Sequence, residues 1–167
     1  MEWHTFLIVV HLIGAALGVG GATFAEIFLL KAVRDGEIDP VESSFMQVTY
    51  RVVRVGLFLL ILSGFGFLIL YRFTGLEERL YSPLLWSKLS IVVVILINAI
   101  LLQARHIPLW LGSALSFASW YAAMLILPLR PAIMPISYLE IMGWYVVSVA
   151  VVAVALSIIR RSLGIKF

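Results

Sequence analysis

Apolar residues run along this chain in five long blocks separated by short polar connections. The blocks cover residues 5 to 30, 52 to 72, 84 to 104, 108 to 128 and 138 to 159. A helix that crosses a bilayer needs about 20 predominantly apolar residues, and each block supplies them. The pattern therefore predicts an all-α polytopic membrane protein, a bundle of five transmembrane helices forming one domain over residues 1 to 167. The two main polar connections, KAVRDGEIDPVESSFMQVTYRVVR and YRFTGLEERLYSPLLWSK, leave almost no room for a soluble domain. The first block is too long for the apolar core of a signal peptide and no cationic stretch precedes it, so it is expected to be a retained helix.

Composition agrees with the pattern. Hydrophobic residues make up 63% of the chain and charged residues 13%, with a mean hydropathy of +1.10. A soluble domain is roughly half apolar and a quarter charged, so the expected solvent for the helix faces is the lipid bilayer. The net charge of +3 comes from basic residues that flank the apolar blocks. They form no patch interleaved with aromatics, so no nucleic-acid partner is expected. The absence of cysteine excludes disulfides, iron–sulfur clusters and thiolate metal sites. Neither GxSxG nor GxxxxGK[ST] occurs, which leaves hydrolase and nucleotide chemistry without support.

Five spans put the first and third connections and the C-terminus on one side. That side carries Lys31, Arg34, Arg51, Arg54, Arg105, Arg160, Arg161 and Lys166, against Arg72, Arg79, Lys88 and Arg130 opposite. The excess predicts an outside N-terminus and a cytoplasmic C-terminus.

Within the first block, His11, Gly14, Gly18, Gly21 and Ala25 follow a spacing that places them on one helix face. Two readings of that face stand side by side. It is either a smooth platform for a flat cofactor ring, with His11 as ligand, or a small-residue packing seam against a neighbouring helix. An ionisable side chain inside a membrane is expensive and points to function. His4 lies on the same face but about 10 Å along the axis, too far to share one iron on one ring, and reads as interfacial. His106 closes the third block on the opposite side. Glu26 is expected to form an ion pair with Arg51 or Arg54 at the start of the second helix, either as a structural clamp or as a proton-transfer group. Lys88 either snorkels to the headgroups or holds a carboxylate of an amphipathic ligand at the depth of His11. Trp86, Trp110, Trp120 and Trp144 read as members of an aromatic belt near the block ends.

The early HLIG histidine with its following glycines, the charged hairpin ending in YRVVR, the LSGFGF of the second block and the W-x-K that opens the third (LLWSKLSIVVVILINAILLQARH) together resemble the HemJ type of protoporphyrinogen oxidase. They are also similar to CopD-like copper proteins and to related small integral membrane families. The resemblance covers residues 4 to 106. Glu26 and Asn98 stand where the HemJ type carries aromatic and basic residues and a further histidine. The resemblance implies that His11 binds haem b or a related porphyrin as its metal ligand, with Lys88 in the functional set. It implies an oxidoreductase passing electrons between a porphyrin or quinol and an acceptor, with no catalytic residue assigned. Two other readings remain: a non-enzymatic subunit that packs as a homo-oligomer or within a larger membrane complex, and a copper-transport protein. Against copper, no methionine-rich or HxxxM cluster is present.

Overall fold

A computed structural model describes residues 2–32, 39–126 and 136–162. Its helices are α1 (Glu2–Ala32), α2 (Pro40–Phe73), α3 (Pro83–Gln103), α4 (Leu109–Leu125) and α5 (Tyr138–Ser162), with a short 3-10 helix, Glu77–Tyr81, between α2 and α3. The described residues contain no strand. Four of the helices, α1, α2, α3 and α5, are long and apolar enough to cross a membrane. The fourth, α4, has 17 residues and at 1.5 Å per residue reaches only about 25 Å. It packs against α1, α3 and α5, so protein rather than lipid covers much of its length.

The second helix begins well before its apolar block. Asp39 accepts a hydrogen bond from the Glu42 amide at 2.7 Å, the Glu42 carboxylate accepts one from the Asp39 amide at 3.3 Å, and Pro40 occupies the first turn. This reciprocal cap satisfies two amides that would otherwise lack partners, and proline's fixed φ suits the position. The extension is amphipathic: Met46 and Thr49 turn inward, whereas Gln47 and Arg51 are exposed.

Helices α1 and α2 run antiparallel with their backbones in contact. A methyl group placed on Gly56 would lie 2.8 Å from Gly14 O and 2.7 Å from Gly18 N. Only hydrogen fits there. The remaining helices are tied by polar contacts: the Asn98 amide donates to Gly112 O at 2.9 Å, the Ser119 and Tyr145 hydroxyls meet at 2.7 Å, and those of Ser90 and Tyr138 at 2.9 Å. The core is formed by Ala22, Leu57, Ile91, Ile95, Trp120, Ile141 and Tyr145. Outward faces carry Phe58, Phe65, Ile69, Val151 and Val154, all exposed. Polar groups inside and large apolar ones outside suit a bilayer and not water. The chain is an integral membrane helical bundle.

Candidate functional site

Two clusters of ionisable side chains interrupt the apolar interior, one at each end. At the end nearer the start of α1, His11 Nδ1 lies 2.9 Å from Ser63 Oγ on α2. The Ser63 hydroxyl has one hydrogen, and it donates that hydrogen to Leu59 O one turn back at 2.6 Å, a common habit of serine in helices. With that hydrogen on Leu59 O, Ser63 accepts from His11, an arrangement that places the ring proton on Nδ1 and leaves the lone pair on Nε2. Phe67 meets the His11 ring edge-on at 5.7 Å and the His4 ring at 5.9 Å. His11 is half-buried. Lys88, also half-buried near the start of α3, is close enough for its charge to act on His11. The structure thus brings His11 and Lys88 to the same end and adds Ser63, which sequence reasoning missed. The only signal was a hydroxyl inside the glycine-rich LSGFGF.

Gly14, Gly18 and Gly21 do not form an open platform. A side chain at Gly14 would lie 3.0 Å from both Gly56 O and Leu60 N, and one at Gly21 would meet a Val53 methyl at 2.6 Å. At Gly18 it would overlap the six-membered ring of Trp120. The flat ring on this face is the protein's own indole, 1% exposed, whose N–H has no hydrogen-bond partner among the described residues. The face is a packing seam, and Trp120 is a core residue and not part of an interfacial belt. The expectation of a cofactor ring lying on these glycines is corrected accordingly.

At the opposite end Glu26 is paired, but not with Arg51 or Arg54. Its Oε1 receives Arg160 Nη2 from α5 at 2.5 Å, with side chains 4% and 3% exposed. The same guanidinium donates to Ser113 Oγ at 2.9 Å and Trp110 O at 3.1 Å on α4. Arg51 and Arg54 are exposed, and Arg54 Nε donates to Tyr50 O within its own helix. The physical reason is the early start of α2. Pro40 opens the helix, so both arginines stand some three or four turns inside it on its outer surface. Arg160, at the end of the last apolar block, reaches the buried carboxylate instead.

Other charged groups are ordinary. Glu140 caps α5 by accepting from the Ser137 amide and hydroxyl at 2.8 and 2.7 Å. His106 is exposed beyond the end of α3. Among the described residues no three His, Cys, Asp or Glu side chains gather to hold a metal ion.

These residues fit a haem in one respect and fail to fit it in another. A half-buried imidazole with its Nε2 lone pair uncommitted suits one axial bond to iron. The glycine face cannot accept a macrocycle, because α2 and Trp120 already fill it. No family model, curated protein or solved structure matches the chain.

Proposed function

We propose that this chain is an integral membrane protein that binds haem b or a related porphyrin through His11. The observation that carries the reading is the hydrogen-bond pattern at Ser63, which takes up Nδ1 and leaves Nε2 able to ligate. A hydrogen bond to the distal nitrogen orients a ligating histidine and fixes its tautomer. Lys88 supplies a cation at the same end, suited to a propionate or another carboxylate of the bound group. When bound, the iron supplies one-electron chemistry. The chain's own residues hold and orient it. The resemblance to the HemJ type supports an oxidoreductase role with a porphyrin or quinol as donor. The basic residues at the Arg160 end support an outside N-terminus.

The test is a visible absorption spectrum of full-length protein purified gently from cells with ample haem. The wild type should carry a Soret band, His11→Ala should fold and lose it, Lys88→Ala should weaken binding, and His106→Ala should leave it intact. A colourless wild type would reject the reading and leave His11 as a buried polar residue tying α1 to α2.

A further inference from the structure

Far from His11, all five helices contribute polar groups toward the Arg160 end of the bundle. Asn98 of α3 donates to Gly112 O of α4 at 2.9 Å. The next residue, Ser113, receives Arg160 of α5, and Arg160 also grips Glu26 of α1. Tyr50 of α2 is close enough to Glu26 to feel its charge. Asn98 is 2% exposed and Glu26 4%. Both side chains are nevertheless only half satisfied: Asn98 Oδ1 and Glu26 Oε2 have no hydrogen-bond partner among the described residues.

The chemistry of the two atoms is the same. Each is an acceptor, so whatever completes the cluster must donate hydrogen. Rotating the Asn98 amide offers no escape, because Gly112 O needs the NH2 group and the carbonyl is left over in any case. A cation is opposed by Arg160, which already holds the same carboxylate. The remaining small donor is water, which offers two hydrogens and is the usual partner of buried polar atoms that protein leaves unmet.

We propose that this cluster is a water-binding site, in which one water or a short file of waters donates to Glu26 Oε2 and Asn98 Oδ1 and exchanges with solvent at the Arg160 end. The site links a buried carboxylate to bulk water, and it stands independently of the haem reading.

Asn98 is the only asparagine in the chain. Full-length protein labelled with a heavy-nitrogen isotope in the asparagine side-chain amide, held in phosphatidylcholine nanodiscs, therefore gives one unambiguous NMR amide pair. Magnetisation transfer from water to that pair should be strong, and its deuterium exchange should be much faster than that of backbone amides in the helix centres. Absent transfer together with exchange as slow as those backbone amides would overturn the proposal. In Glu26→Gln the leftover oxygen becomes a donor group, and the transfer should fall several-fold. An unchanged transfer in that folded variant would overturn the placing of water between the two oxygens.

Discussion

The two polar ends of this bundle use their ionisable groups in opposite ways. At the Arg160 end a carboxylate and a guanidinium are almost completely buried and bonded to one another, with further bonds to α4. At the other end His11 is half-buried and makes a single hydrogen bond through one of its two ring nitrogens. The first arrangement holds helices that are distant in sequence. The second leaves a lone pair uncommitted. The lesson is that an ionisable residue inside a membrane protein is read by counting which of its atoms its neighbours have already taken.

The largest effect is expected where the charges are buried deepest. Breaking a buried ion pair leaves a stranded charge and costs about 3–5 kcal/mol, whereas replacing both partners with apolar residues can be nearly neutral. Glu26→Leu or Arg160→Leu alone should lower the unfolding midpoint in detergent sharply, and the double variant should recover much of the loss. Strictly additive losses would mean the two groups do not depend on one another.

Next comes the glycine seam, where neighbouring positions should differ in sign. Gly18→Ala collides with the Trp120 ring, and overpacking of this kind typically costs about 1–3 kcal/mol. A side chain at Gly20 meets nothing within 4 Å, and replacing a mid-helix glycine by alanine gains roughly 0.5–1 kcal/mol. Equal effects at the two positions would show that the seam is not packed as described.

A smaller effect is expected at the His11 end. Ser63→Ala removes the hydrogen bond to His11, worth about 0.5–1.5 kcal/mol, along with the hydroxyl's bond to Leu59 O, and frees the imidazole to change tautomer. A haem-loaded sample should then show a shifted spectrum and not a bleached one. Smallest of all, Arg51→Ala and Arg54→Ala should leave the unfolding midpoint unchanged, since both side chains lie on the outer surface of α2. A large loss at either position would return them to the role of partners for Glu26.

Helices were legible wherever apolar residues ran continuously, and the five blocks correspond to the five helices. The start of α2 was not, because its first turns are amphipathic, yet the Asp39-Pro40-Val41-Glu42 cap carried the signal. His11 and Lys88 could be placed at one end by counting turns. Their shared neighbour Ser63 could not, because pairing between faces depends on helix rotation. Arg160 lies 134 residues from Glu26, and a nearer basic pair in the sequence drew the assignment away from it. Trp120 stands near the middle of the fourth block, away from the ends where aromatics are usually interfacial. The packing against Gly18 identifies it as core.

The comparison between the two ends rests on the protonation of one imidazole. In haem-free protein with His4 and His106 replaced by glutamine, His11 is the only histidine left, and nitrogen NMR of its labelled ring reads both positions directly. The hydrogen-bond pattern at Ser63 predicts a protonated Nδ1 and a bare Nε2. A protonated Nε2, with Nδ1 accepting from Ser63, would contradict the account, because the nitrogen offered to a ligand would already carry a hydrogen.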